Sequence, residues 1–258
     1  MEIIIKIVKA CLLTFFVSIL FSCQKDEGVG TVDIAKVNVI NAVVDGGSAK
    51  ANVGVKIIPW ASVADYQNLG GSNFLGRLYV VPTDKPTYLQ VVPVSDTTKL
   101  WYDQMKQLDA RKMYTLYLSG TPNNIKISFH EEVNFPQYIV RDAARPTLVA
   151  DSIVNIRFVN LSQSGPQIDI NIQGKSSNEA IGLSYEAFTD FKAYPAIQGY
   201  DYIVFEIRRS ADKALINTYY LYLPNVRFKS IAIMLVGIYP GTGLPFFDRY
   251  RVEYSIYQ

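Results

Sequence analysis

The chain has 258 residues, with 25 lysines and arginines against 23 aspartates and glutamates (formal net charge +2), and 49% hydrophobic and 13% aromatic side chains. This near-neutral balance, with no basic run interleaved with aromatics, excludes the electrostatic footprint of a nucleic-acid binder. A single histidine excludes a zinc site of two or three imidazoles within one chain and would force any serine triad through that one ring.

At the N-terminus, Lys6 and Lys9 precede an apolar run from Ala10 to Phe21. As a helix the run is about 18 Å long at roughly 1.5 Å per residue, well short of a bilayer core of about 30 Å. Residues 1–22 therefore read as a secretory signal peptide: a basic start, a short apolar middle and small residues before a cut site. Leu20-Phe21-Ser22-Cys23 resembles the bacterial lipobox, in which an aliphatic, a variable and a small residue precede an invariant cysteine. Phe21 is bulkier than that pattern usually carries. The resemblance implies that Cys23 becomes the lipidated first residue of the mature chain. An ordinary signal peptide with an accidental cysteine is the alternative. Each buried methylene of a lipid contributes about 0.8 kcal/mol, so two or more acyl chains anchor firmly where one is marginal. Cys11 leaves with the signal and Cys23 carries lipid, which leaves no thiol for disulfides, thiolate zinc sites or cysteine nucleophiles.

Gln24-Lys25-Asp26-Glu27 follows at once. It is similar to the signal that some Gram-negative bacteria place behind the lipid cysteine to route a lipoprotein to the outer face of the cell. The implied location is the outer membrane facing the exterior; a periplasm-facing lipoprotein is the alternative. Residues 23–30 then form a lipidated tether, and a plain solvated tether accounts for the same charges.

The folded body begins with a repeat. "KVNVINAVVDGGSAKANVGVK" (Lys36 to Lys56) lines up with "NIRFVNLSQSGPQIDINIQGK" (Asn155 to Lys175), Asn41 matching Asn160 and Lys56 matching Lys175. "MYTLYLSGTP" lines up with "SIAIMLVGIYPG", Gly120 matching Gly237. Near-constant offsets point to duplication, with convergence of two similar β folds as the alternative. Trp60 and Trp101 fall in expected loops and are the first candidates for exposed aromatic ligand contacts. Asp96-Thr97-Thr98 and Asp151-Ser152-Ile153 resemble the triplet that some bacteria O-glycosylate on exported proteins, making Thr97 and Ser152 candidate glycosylation sites; plain loop turns are the alternative. "TTKLWYDQMKQLDA" (Thr97 to Ala110) is either a short helix or a strand flanked by loops.

His130 lies in the strand-like "IKISFHEEV", where a structural role is the natural expectation. Glu131 and Glu132 are adjacent on a strand, so they face opposite ways and do not readily flank one glycosidic bond. The proline- and charge-bearing stretch 134–151, with Pro136, Arg141, Asp142, Arg145 and Pro146, reads as a semi-rigid linker.

In the second half, "IRFVN", "IDINIQG", "YIVFEIRR" and "RVEYSIY" alternate apolar and polar residues, as half-buried strands do. "SIAIMLVG" is continuously apolar and suits a strand buried on both faces. "NTYYLYLP" puts Tyr220 and Tyr222 on one face and Tyr219, Leu221 and Leu223 on the other, one face core and the opposite one a potential platform. "GIYPGTGLP" lacks the lysine and hydroxyl of a phosphate loop and reads as a hairpin loop. No stretch spaces Asp or Asn as a calcium loop does. Turn signals at Asp45-Gly46-Gly47, Asn123-Asn124, Ser164-Gly165-Pro166 and Ser210-Ala211-Asp212 separate the strands.

Short strands with regular turns indicate an all-β chain. The expected organisation is two tandem immunoglobulin-like or transthyretin-like β-sandwich domains, 31–133 and 152–258, after the leader. "VNIRFVNLS", "QIDINIQG", "YEAFTDFKAYPA" and "YLPNVRFKSIAIMLVG" are similar to the bacterial extracytoplasmic family known as domain of unknown function 4397. "RDAARPTLVADS" looks like the lead-in of its lipoprotein members. The likeness is best over Arg141 to Gly237 and weak over the first half. It implies an envelope lipoprotein and no activity. The sequence assigns no catalytic residue, metal or cofactor. The function expected is a non-catalytic binding or structural and adhesion module. A carbohydrate-binding module is the alternative, a hydrolase with two distant carboxylates is a remote one, and the partners are the membrane through the lipid and an extracellular glycan or protein.

Overall fold

In a computed structural model the described residues are 32–65, 76–136, 152–197, 199, 201–243 and 249–257. The signal peptide, Cys23, Gln24 to Glu27 and most of the expected linker lie outside them. The first half forms β1 (Ile34–Asn41), β2 (Ala49–Gly54), β3 (Gly76–Pro82), β4 (Thr87–Pro93), β5 (Tyr102–Lys106), β6 (Met113–Thr121) and β7 (Asn124–Glu131). The second forms β8 (Ile153–Asn160), β9 (Ile168–Ile172), β10 (Asn178–Leu183), β11 (Lys192–Pro195), β12 (Tyr202–Arg209), β13 (Leu215–Tyr222), β14 (Ser230–Val236) and β15 (Arg251–Ile256). The chain is thus all-β, and the ambiguous stretch after Thr97 resolves to a strand, β5, with loops on either side.

Both halves build the same two-sheet arrangement. The first has sheets β3-β1-β6-β7 and β2-β4-β5; the second has β11-β8-β14-β15 and β10-β9-β12-β13. In each, the opening strand runs parallel to a late one, β1 beside β6 and β8 beside β14, while the other pairings are antiparallel. Lettered A to H, the second sandwich is DAGH over CBEF, an order distinct from the ABED over CFG of immunoglobulin constant domains.

The repeat landmarks take the same local geometry. The Asn41 side-chain oxygen accepts from the Val43 amide, and the Asn160 oxygen accepts from the Ser162 amide. Gly120 and Gly237 both adopt φ 85°, and a Cβ at Gly120 would lie 2.3 Å from the Asn124 carbonyl oxygen. Only glycine fits there.

Alternation assigns each sandwich its core. Val37, Val39, Leu89, Val91, Leu116 and Leu118 fill the first, and Ile156, Phe158, Ile170, Phe205, Ile233 and Leu235 fill the second. The opposite faces of the inner sheets are not solvated, because they form a third apolar cluster. Ile40, Met113 and Tyr117 from the first half pack with Val159, Met234 and Tyr257 from the second. Every residue of β14 is consequently buried, one side of the strand in its own core and the other against the first sandwich.

The two halves differ at one flank. In the second, β10 pairs with β9, Asn178 opposite Asn171. The residues standing 119 positions earlier are Pro59 and Asn52. Proline has no amide hydrogen to give a ladder, and among the described residues no strand pairs with that edge of β2. Asn52 takes over instead: its side-chain amide donates to the Ile58 carbonyl (2.9 Å) and accepts from the Ile58 amide (3.1 Å).

Candidate functional site

On the hairpin of β12 and β13, alternation sends Leu221 and Leu223 into the core, each 1% exposed, with Tyr219 packed against them. Tyr220 and Tyr222 therefore point outward, 61% and 42% exposed. The ladder sets Tyr202 directly opposite Tyr222. Tyr202 is 53% exposed, and its ring centroid lies 5.2 Å from that of Tyr222 at an interplanar angle of 47°. Val204 stands across from Tyr220 on the same face. Three phenol rings thus share one patch of the sheet's outer surface, on β13, the sheet's last strand, and its neighbour β12.

A polar row continues from this patch along the same face. Asn171 on β9 donates to Glu206 (3.0 Å), and the Arg208 guanidinium also reaches Glu206 (2.9 Å). The hydrogen bond from Arg208, followed by that from Asn171, holds the Glu206 carboxyl below its ordinary range. Rings with apolar faces next to fixed donors and acceptors form an arrangement able to stack on a ring-shaped polyol and hydrogen-bond its rim.

The other residues singled out by the sequence fall elsewhere. Trp101 is a core residue, 7% exposed, because the chain re-enters the sandwich there: its amide donates to Val91 (2.8 Å) and its ring sits over Gly46, where a Cβ would meet it at 2.9 Å. The expectation of an exposed loop tryptophan is corrected at this position. Trp60 is half-buried, and its carbonyl accepts from the Lys50 ammonium (2.8 Å); it is far in sequence and fold from the tyrosine patch. Thr97 lies in a turn in which Asp96 accepts from the amide and hydroxyl of Thr98. Ser152 is 1% exposed and its hydroxyl donates to Ala196 (2.8 Å), so it offers no accessible acceptor for glycosylation.

Glu131 and Glu132 do face opposite ways. Glu131 pairs with Lys112 at the surface, whereas Glu132 is buried between the sandwiches, bound to Arg157 and to the Thr115 hydroxyl (2.5 Å). Arg157 is itself 3% exposed and its guanidinium lies over Phe188 (4.6 Å) and Phe191 (4.7 Å). His130 is stacked between Tyr117 and Phe188, with its Nε2 3.4 Å from Glu132. Burial pushes the Glu132 carboxyl up, but His130, Arg157 and Thr115 outweigh it and the group sits below its usual range. Among the described residues the Asp96, Glu132, Asp169 and Glu206 carboxyls each sit below their ordinary range. Among the described residues no group of three or more His, Cys, Asp or Glu is placed to hold a metal ion, and no helix is long and apolar enough to cross a membrane.

Tyr202 and the row of Asn171, Glu206 and Arg208 carry only a weak sequence signal, the outward positions of "IDINI" and "YIVFEIRR". The Glu132–Arg157 pair carries none, because its members belong to different sandwiches. No protein-family model matches the chain, and no curated protein matches it.

Proposed function

We propose that this chain is a lipoprotein, anchored through Cys23 and displayed on the outer face of the envelope, that acts as a non-catalytic carbohydrate-binding module. The observation that carries the ligand class is the exposed patch of Tyr202, Tyr220 and Tyr222 beside the Asn171–Glu206–Arg208 row. An isolated exposed tyrosine needs no explanation, but three on one sheet face with fixed polar neighbours do. The Glu206–Arg208 pair is internally neutral, which suits an uncharged sugar at this face. The Glu206 carboxyl beside the rings is held below its ordinary range by Arg208 and Asn171, which supports a binding role for this row. The resemblance to domain of unknown function 4397 belongs to the same reading and rests on the residues quoted for it.

The address is tested by expressing the full chain and Cys23→Ala in a bacterium, then treating intact cells with protease while following the membrane fraction. Wild type is expected to be membrane-bound and shaved, and the variant released. The ligand class is tested by electrophoresis through gels containing neutral polysaccharides. Wild type is expected to be retarded by at least one of them and a Tyr202→Ala/Tyr220→Ala/Tyr222→Ala variant to run freely. Unaltered mobility of wild type in every gel would remove the carbohydrate reading.

A further inference from the structure

The flank at which, among the described residues, the first sandwich has no counterpart of β10 holds a cleft of about 260 Å³. Its floor is the edge of β2, with Ala51 and Val53, and the segment that replaces the missing strand supplies Lys56, Ile58, Ser62 and Val63 on one wall. Arg77 and Tyr79 of β3 form the other wall.

The charge in this cleft is unbalanced. Lys50, on the same strand, is neutralised by Asp65 (3.2 Å) and spends a further donor on the Trp60 carbonyl. Lys56 and Arg77 have no carboxylate within ion-pair distance among the described residues. The guanidinium of Arg77 makes only a long contact to the Ala64 carbonyl (3.4 Å) and lies 5.5 Å from the Tyr79 ring centre. Tyr79 donates its phenol to the Ala51 carbonyl (3.3 Å). Burial raises that phenol to about 12 even against the opposing charge of Arg77, so it remains a neutral wall and not a counter-ion.

We infer that this cleft is a second ligand site, specific for a small anionic group, with Arg77 and Lys56 supplying the charge and Ser62 a hydroxyl. Its volume is just under the roughly 300 Å³ at which drug-sized pockets begin, enough for one acidic sugar residue or a free oxyanion. A planar guanidinium forks onto either a carboxylate or a sulfate. The apolar contributions of Ala51, Val53, Ile58 and Val63 suit the C–H face of a sugar ring and would gain nothing from a bare ion. The site lies on the other sandwich from the tyrosine patch and does not depend on the function proposed for that patch.

Isothermal calorimetry on the full-length chain, expressed in a bacterium and purified as it matures, tests the site with three probes: sodium sulfate, a galacturonic acid trisaccharide and the neutral glucose trisaccharide. Saturable binding of the galacturonate or of sulfate is expected, weakened about tenfold or more in Arg77→Gln and several-fold in Lys56→Gln. Arg77→Lys should restore part of the affinity, and Tyr220→Ala should leave it within about twofold. Binding of the galacturonate alone identifies a carboxylated glycan; equal binding of sulfate identifies a general oxyanion site. The inference fails if neither anion saturates, or if either binds equally to wild type and to an Arg77→Gln/Lys56→Gln variant whose thermal unfolding matches wild type. The glucose probe reports on the tyrosine patch, so loss of one reading does not carry the other with it.

Discussion

In the second sandwich the strip beside β9 is a strand, and in the first the strip beside β2 is a looped segment held by side chains. One position organises both. Asp169 stands 119 residues after Lys50. Asp169 accepts from the Gly182 amide of β10 (2.9 Å), from Ser210 (2.7 Å) and from Lys213 (2.5 Å). Lys50, of opposite charge, donates to Trp60 and pairs with Asp65. A strip can thus be fastened beside the same strand by a buried carboxylate or by a lysine, but only the strand version closes the backbone ladder. The lysine version leaves a cleft.

The largest expected effect concerns the clasp between the sandwiches. Arg157→Ala would leave Glu132 buried and unpaired, costing about 3–5 kcal/mol, whereas replacing both by apolar residues of similar volume should cost much less. Urea unfolding of the single and double variants decides this; equal losses would mean that the pair contributes through packing alone. Joint unfolding of the two halves in wild type, by tryptophan and tyrosine signals, should become separable in Arg157→Ala.

Asp169 gives a pH-dependent contrast. Burial raises its carboxyl, but hydrogen bonds from Lys213, Gly182 and Ser210 bring it down to about 2. A carboxyl lowered from an unfolded value of about 3.9 stabilises the fold fully above that value and loses the contribution as pH falls toward 2. The amount is about 2–3 kcal/mol. Asp169→Asn should therefore destabilise by about that much at pH 7 and much less near pH 2. A constant gap between Asp169→Asn and wild type at both pH values would contradict the assignment.

Asn52→Ala removes both bonds to Ile58 and should cost about 1–2 kcal/mol, with faster amide exchange at Ile58 as the local signature. Unchanged exchange would mean that the segment is held from elsewhere. The smallest stability effect is expected at the tyrosine patch: Tyr220→Ala should change unfolding by no more than about 0.5 kcal/mol while abolishing sugar binding.

Much of this architecture is legible in the sequence, for a simple reason. Half-buried strands must alternate, so β8, β9, β12 and β15 and the placement of Leu221 and Tyr220 on opposite faces follow from side-chain parity, while which of the two faces is core does not. The full burial of β14 is readable as continuous hydrophobicity, although its cause, a neighbouring sandwich and not a deeper core, is not. Trp101 misleads because turn residues around it signal a loop, and nothing local reveals that the loop folds back over Gly46. That no described strand pairs with the outer edge of β2 accords with Pro59, but the alignment of the two halves extends only to Lys56. Glu132 with Arg157, and Arg77 with Lys56, come together through topology, which a one-dimensional pattern does not carry.

The role proposed for the tyrosine face is sugar binding on the outside of the cell. It is tested most directly by fluorescent neutral oligosaccharides added to intact cells expressing wild type, Tyr202→Ala/Tyr220→Ala/Tyr222→Ala, or Cys23→Ala. Saturable labelling is expected with wild type only, with the tyrosine variant present at the surface in equal amount by antibody. Equal labelling of wild type and the tyrosine variant would contradict it.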